Sequence, residues 1–443
     1  MQRRRRPPAW LGVAAILLAG LALGAALTGA PPNIVLGTLA ALVAIGAAIY
    51  RPALGLAVLA FSYPFDLTTY AGPLKLTTSE ALIVILAMVL IGRHLLRHPP
   101  PIERTPLDLP VLIFAVATVL ALLGLGGYLS DQLVALVKAA GGFLLFVIVT
   151  QSLRERREVW LVVAAVLVAG LILAVQTIVP ILSGTDVVSA LNRATGNVID
   201  PNLFAGYLVI LIPLALAAGL ASRWRWAPLL AGFAIVLLGA ALIATLSRGG
   251  WLGFLVGIAT MAVLLPGRRR LVLGVAGGAV LILLIGLIGP VADRLGSSSG
   301  ASPLETFLDR VPIWSVAISI FIQHPIFGIG VNNFGNYIGA FDPTLDVNQA
   351  HDLFLNILVE RGLLGITAFA ILLVALFRTL LLSVQLAPNS RYRVLAVGVT
   401  ASFAAFLADS LFDVAYYDYK ILLLFWLLAG VAASLPRLFA TLR

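Results

Sequence analysis

The feature that most limits how this chain can fold is a succession of fourteen apolar segments, most of them long enough to cross a lipid bilayer. A transmembrane helix needs about 20 predominantly apolar residues. Because 61% of the residues are hydrophobic and only 11% are charged, the chain cannot be a water-soluble domain. The sequence predicts an all-α polytopic membrane protein with about 12–14 transmembrane helices. The segments lie at about 10–29, 33–50, 53–66, 78–96, 109–128, 131–151, 158–181, 203–221, 227–246, 249–266, 271–290, 351–377, 394–413 and 419–436.

Charged residues alternate from one side of these segments to the other. Basic residues fill every second connection, beginning with the N-terminus, and acidic residues concentrate in the connections between them. Inside loops of membrane proteins carry an excess of Lys and Arg, so both termini are predicted to be cytoplasmic. The net charge of +10 is therefore a sign of membrane orientation, not of nucleic-acid binding. The basic start Met1–Pro8 could belong to a cleaved signal peptide, but the long run Trp10–Ala30 favours a retained first span.

This pattern of segments and loops divides the chain into four parts. We expect N-terminal transmembrane helices over 1–182, and central helices over 183–290 that include an outer loop at 183–202. A long outer loop with short helices, one of them at Asp309–Gln323, is expected over 291–350, and C-terminal transmembrane helices over 351–443. Long loops of this kind are often functional. The last part should begin with a short helix, His351–Arg361, that breaks at Gly362.

Several classes of site are absent from the sequence. The chain has no Cys, no phosphate-binding glycine loop followed by Lys, and no His-Glu-x-x-His pair. No paired aspartates suited to a metal-bound nucleotide sugar are found. The glycines of Gly328-Ile329-Gly330 lack the preceding strand and the spacing of a dinucleotide site. We therefore expect no cofactor and no metal.

Two arginines stand out because they lie on the side that should be poor in positive charge. Arg248 follows an apolar run and begins another, next to Gly249 and Gly250. It could snorkel beside Trp251, or it could clamp an anion, since a guanidinium binds phosphate oxygens in a bidentate manner. Arg310 begins the expected loop helix, and it could bind an anion or pair with the neighbouring acids Asp309 and Glu305.

His351 is a candidate general base in the same outer region. Its ordinary pKa near 6.5 suits proton transfer at neutral pH. The alternative is helix capping or a structural hydrogen bond. Asp352 and Glu360 are close in sequence and could orient it. Asp409 and Asp413 lie near the outer end of a span, where acids are costly, and could pair with one of the arginines.

Taken together, these residues resemble the O-antigen ligase and O-antigen polymerase superfamily of bacterial membrane glycosyltransferases. The resemblance covers about 193–413. It rests on Ser247 to Gly253, Arg310 with Trp314, His324-Pro325 to Gly330, His351 to Gly365, and the upstream Ala194–Asn197 and Pro201–Ala205. One departure is Asp352, where the family more often has Asn, and this could alter the hydrogen bonding of His351.

The resemblance implies a mechanism and a set of site residues. Arg248 and Arg310 would hold the diphosphate of an undecaprenyl-diphosphate-linked glycan, and His351 would act as base on an acceptor hydroxyl. We also assign Arg193, Asn202 and Asp413 to substrate binding. Direct attack would invert the anomeric configuration without a metal, at the periplasmic face of the bacterial inner membrane.

The acceptor is left open by the sequence. A ligase would use a lipid A core, which the single large loop favours, a polymerase would use another carrier-linked glycan, and a third type of enzyme would use a protein. A transporter or flippase for lipid-linked sugars is the alternative from a different class. It would need charges near the bilayer midplane, and Lys138 is the only mid-span cation that fits.

Overall fold

The computed structural model describes residues 45–66, 68–71, 74–96, 102–124, 129–183, 200–267, 310–343, 345 and 347–440. These residues form an all-α protein, as predicted, with one small β-hairpin. The helices are α1 (Pro52–Ser62), α2 (Thr78–Leu96), α3 (Asp108–Leu120), α4 (Leu129–Ser152), α5 (Arg156–Ser183), α6 (Pro201–Ala221), α7 (Ala227–Ala244), α8 (Arg248–Leu264), α9 (Arg310–Gln323), α10 (Phe334–Phe341), α11 (Leu353–Leu386), α12 (Ser390–Asp409) and α13 (Tyr419–Ala440).

Seven of the described helices have the length and apolar composition of membrane spans: α2, α4, α5, α6, α11, α12 and α13. Shorter apolar helices include α7 and α8. The predicted segments at 10–29 and 271–290 and most of the one at 33–50 lie outside the described residues. The polytopic class is confirmed, and the total of 12–14 spans stays a prediction. Within the expected outer loop, the described part contains two short helices, α9 and α10.

The chain forms two compact units, Met1–Glu103 with Leu144–Ala169, and Arg104–Phe143 with Gly170–Arg443. In the first unit, an antiparallel hairpin of β1 (Thr68–Ala71) and β2 (Leu74–Thr77) precedes α2. Asp66 fixes the start of α2, because its Oδ1 accepts hydrogen bonds from Thr78 Oγ1 and from the backbone and hydroxyl of Ser79, at 2.6 to 2.8 Å.

The core of the second unit is built from α6, α8 and α12, which pack closely through small residues. A Cβ added to Gly253 of α8 would come within 2.6 Å of the Ala405 carbonyl oxygen of α12. Ser402 on α12 donates a hydrogen bond of 2.7 Å to the Ile210 carbonyl oxygen of α6. Small residues that let helix backbones approach, together with hydrogen bonds between helices, are what hold helices together in lipid. This core fixes the ends of α8 and α12, where Arg248 and Asp409 lie.

The predicted break at Gly362 is present in α11. Gly362 has φ 61° and ψ −164°, a conformation that is essentially confined to glycine. The break receives the turn of the Pro325–Gly330 segment, because Leu363 N donates to the Pro325 carbonyl at 2.8 Å and Gly330 N donates to the Glu360 carbonyl at 3.0 Å. The glycine-rich segment therefore docks backbone against backbone on a broken helix.

Replacing Gly362 with alanine is expected to destabilise the fold by about 2 kcal/mol or more, because the backbone strain alone costs of order 1–3 kcal/mol. A Cβ at this position would also lie 2.3 Å from the Ile326 carbonyl oxygen. The measurement is the unfolding midpoint of the purified protein in a denaturing-detergent titration. Gly239 in α7 is the matched control, since a Cβ there meets no atom within 4 Å. Equal midpoints for the two variants would contradict the assigned role of the break.

Candidate active site

Arg248 is the first residue of α8 and is exposed. The helix begins there because the Ser247 hydroxyl caps it, accepting a hydrogen bond of 3.2 Å from Gly250 N. The preceding Leu246 has φ 55°, which is uncommon for a residue other than glycine. Strained backbone of this kind often lies at functional sites. The N-terminus of a helix carries partial positive charge, so Arg248 adds a full charge where anions are already favoured.

Arg310 is the first described residue of α9 and is half-buried. Burial lowers its pKa from the ordinary value, Asp413 and Asp352 act in the opposite direction, and Arg248 lowers it further. These interactions mean that the fold brings Arg310 close enough to Arg248 for the two cations to repel each other. Asp309 and Glu305, its alternative partners in the sequence, lie outside the described residues.

His351 is held in place from several sides. Its own backbone has φ 51°, in the left-handed region. The neighbouring Ala350 carbonyl accepts from Trp314 Nε1 at 2.9 Å, and Ala350 N donates to Asn356 Oδ1 at 2.9 Å. Leu353 N donates to the Ser410 carbonyl at 2.9 Å and so ties the start of α11 to the end of α12. The imidazole is 35% exposed, which leaves it accessible to a substrate.

Asp413 is the acid that faces this histidine, with His351 Nδ1 and Asp413 Oδ1 4.0 Å apart. Burial raises the pKa of the Asp413 carboxyl, while His351, a backbone hydrogen bond from Val414 and Arg310 act in the opposite direction. Nδ1 makes no hydrogen bond within the described part of the chain. Catalytic hydrogen bonds are often long without substrate and tighten in the complex.

The two acids closest to His351 in sequence have other partners. Asp352 caps α11, its Oδ1 accepting from Leu355 N at 2.8 Å. Glu360 accepts a hydrogen bond of 2.6 Å from the Tyr417 hydroxyl and lies 3.7 Å from Arg361 Nη1. The acid that faces His351 is therefore neither of these but Asp413, for which the sequence had indicated substrate binding or pairing with an arginine. No signal in a single sequence pairs two residues so far apart along the chain.

Asp409 is fully buried at the end of α12, and neither carboxylate oxygen has a hydrogen-bond partner in the described residues. It lies in a cleft of glycines. A Cβ on Gly206 would come within 2.8 Å of its Oδ2, and one on Gly249 within 3.0 Å of its Oδ1. Gly249, the residue after Arg248, therefore leaves room for the Asp409 side chain at the start of α8.

Of the two remaining predicted binding residues, Asn202 is among the described residues and Arg193 is not. Asn202 is in the first turn of α6, where its backbone N–H donates to the capping Asp200 at 2.6 Å. Asp200 in turn acts electrostatically on Asp413, so the start of α6 belongs to the same region. Arg193 lies outside the described residues. Trp314, Asn356 and Ser410, which position His351, were not identified as positioning groups from the sequence.

The protein is thus a helical membrane protein in which two arginines, a histidine and a buried carboxylate meet at one region of the second unit. Residues 233–370 match the family model described as O-antigen ligase. The matched stretch includes Arg248, Arg310 and His351, and it supports the resemblance of this part of the chain to the O-antigen ligase superfamily. No curated protein gives a significant match to the chain. The match supports a function of the O-antigen ligase or polymerase type, and the described helices have the composition of a multi-pass membrane protein.

Proposed function

We propose that this protein transfers a glycan from undecaprenyl diphosphate to an acceptor hydroxyl at the outer face of the bacterial inner membrane, as an O-antigen ligase. The observation that carries the proposal is the meeting of Arg248 and Arg310 beside His351 and Asp413. The acceptor is a lipid A core, and both termini are cytoplasmic.

The two arginines would bind the diphosphate of the carrier. Bringing two cations together costs free energy, and an anion between them removes that cost. Guanidinium groups form bidentate hydrogen bonds with phosphate oxygens, and they do so more strongly where water is partly excluded. Negative charge grows on the diphosphate as it leaves, so groups already aimed at it stabilise the transition state more than the ground state.

His351 would accept the proton of the acceptor hydroxyl. The acceptor oxygen then forms a bond to the anomeric carbon, and the bond from that carbon to the diphosphate oxygen breaks. The electron pair leaves with the diphosphate, and the proton stays on the imidazole, where the facing Asp413 carboxylate stabilises the positive charge. A single displacement of this kind inverts the anomeric configuration.

The test is transfer by purified protein in detergent with an undecaprenyl-diphosphate-linked glycan, with and without a lipid A core, followed by mass spectrometry. Glycan on the core with release of carrier diphosphate is the expected result. Lengthened carrier-linked chains, with or without the core, would make the protein a polymerase. No release under either condition would remove the enzymatic proposal and favour transport.

A chelator is expected to leave the transfer rate unchanged. The diphosphate is held by guanidinium groups, and the described residues contain no cluster of three or more His, Cys, Asp or Glu side chains suited to a metal ion. The measurement is the rate in excess chelator against the rate in added Mg²⁺. Loss of turnover in the chelator, restored by a divalent ion, would contradict the metal-independent mechanism.

A further inference from the structure

A polar cavity lies in the same unit as the candidate active site. Its volume is about 80 Å³, and its wall includes Lys138 and Ala139 of α4, Arg361 of α11, and Tyr416 and Tyr419. The segment from Asp413 to Tyr416 links its wall to the carboxylate that faces His351. The proposed mechanism uses none of these lining residues.

Two cations, Arg361 and Lys138, lie on the cavity wall. Arg361 is 4% exposed, and its Nε has no hydrogen-bond partner in the described residues. Lys138 is the mid-span cation of the sequence, and its Nζ lies 6.0 Å from the centroid of the Tyr419 ring. A buried polar group without a partner is costly and calls for an explanation. An ionisable residue inside a span is a candidate functional group for the same reason.

Each of the two cations on the wall of this cavity has an acid close to it. Glu360 lies beside Arg361, and the Tyr417 hydroxyl links the two, accepting from Arg361 Nη1 at 2.5 Å and donating to Glu360 at 2.6 Å. Asp418 interacts electrostatically with Lys138. Because each cation has an acid nearby, the cavity has little net attraction for a multiply charged diphosphate. The groups left to bind a ligand are the hydrogen-bond donors of Lys138 and Arg361 and the tyrosine hydroxyls of the wall.

The wall also offers aromatic surface. Phe114, Phe143, Tyr416 and Tyr419 line the cavity together with the polar groups. Burial raises the pKa of Tyr416 to about 12, so its hydroxyl stays protonated. A binding site for an uncharged polar ring combines such apolar faces with a few placed donors and acceptors. A cavity of about 80 Å³ is several times the roughly 10–15 Å³ that one water needs, so it admits a ligand larger than water.

We propose that this cavity is a carbohydrate subsite that holds one pyranose ring of the acceptor glycan, with Lys138 and Arg361 donating to its hydroxyls. This inference rests on the proposed function for the identity of the glycan. The acceptor side is assigned because the lining residue Tyr416 is only three residues from Asp413, which faces His351, whereas the donor diphosphate belongs to Arg248 and Arg310.

The test fills the cavity. Ala139→Leu adds bulk to a lining residue, and Ala140→Leu, the next residue of α4, is exposed and outside the cavity. Binding of lipid-free core oligosaccharide to the purified full-length variants is measured by saturation-transfer NMR, with inorganic pyrophosphate as a second probe. We expect Ala139→Leu to weaken oligosaccharide binding about tenfold or more, and Ala140→Leu to match wild type. Lys138→Gln, with Lys420→Gln as its control, gives a second test if Ala139→Leu does not fold.

The outcomes separate the two proposals. Unchanged oligosaccharide binding in the cavity variants, or no binding to wild type, would overturn the subsite. The subsite would also be overturned if wild type and the control variants bound pyrophosphate and the cavity variants did not, because the cavity would then be an anion site. In the transfer assay we expect a higher KM for the acceptor with little change in the KM for the donor. If oligosaccharide binding depends on the cavity but wild type transfers no glycan, the subsite is retained and the proposed function is wrong.

Discussion

Arg248→Ala and Arg310→Ala are each expected to abolish measurable glycan transfer while leaving the protein folded and inserted. Removing one preorganised donor to a developing anion typically costs about 10²–10³ in kcat. Here the lost group is a full charge, and its partner arginine alone cannot surround the diphosphate. Because the two act as one clamp, the double variant should be little slower than either single variant. Release of carrier diphosphate, followed by mass spectrometry, measures the loss.

A matched control keeps this prediction specific to the site. Arg391 lies in the first turn of α12, as Arg248 lies in the first turn of α8, and it is exposed. Its predicted location is the opposite membrane face. Arg391→Ala should therefore transfer at the wild-type rate. Arg248→Lys should recover only part of the activity, because an ammonium keeps the charge but loses the planar fork. Full turnover in either alanine variant would remove the clamp from the mechanism.

The parts of the fold that follow from local composition could be predicted from the sequence. Apolar runs predicted the spans because a segment in lipid has no water to bond with and must form its backbone hydrogen bonds internally, as a helix does. Gly362 predicted the break in α11, and the helix predicted at Asp309–Gln323 is present as α9 from Arg310, the first described residue of that part of the chain. The hairpin between α1 and α2 was not predicted, since its strands are four residues each and lie next to longer apolar segments.

The parts of the site that depend on distant contacts could not be predicted. Asp413 faces His351 only because α12 ends beside the start of α11, a packing set by the Leu353–Ser410 hydrogen bond. Sequence proximity favoured Asp352 instead, and that carboxylate caps its own helix. In the same way, the docking of the Pro325–Gly330 segment on the Gly362 break depends on tertiary packing and could not be predicted from the sequence.

His351→Gln is expected to lower kcat by about 10²–10⁴, the usual contribution of a general base. Glutamine keeps a polar side chain at the position but cannot take a proton from the acceptor. The donor KM should change little, since the diphosphate is bound by the arginines. His324, which packs edge-to-face on Tyr337 within the loop, is the control histidine, and His324→Gln should keep most of the activity. A wild-type kcat for His351→Gln would show that His351 does not act as the base.

Asp413→Asn separates a proton-transfer role from a purely structural one through the pH profile. The Asp413 carboxylate, 4.0 Å from His351 Nδ1, can support transfer only while it is ionised. Asparagine does not titrate, so an acid limb of kcat/KM that reports the Asp413 carboxyl should move to lower pH in the variant. The same charge stabilises the imidazolium that forms during transfer, so the plateau rate should fall as well. Burial raises the pKa of Asp413, so in wild type this contribution is lost as the carboxyl protonates at acid pH. A lower plateau with an unmoved acid limb would mean that Asp413 supports the fold of the site and does not act on the proton.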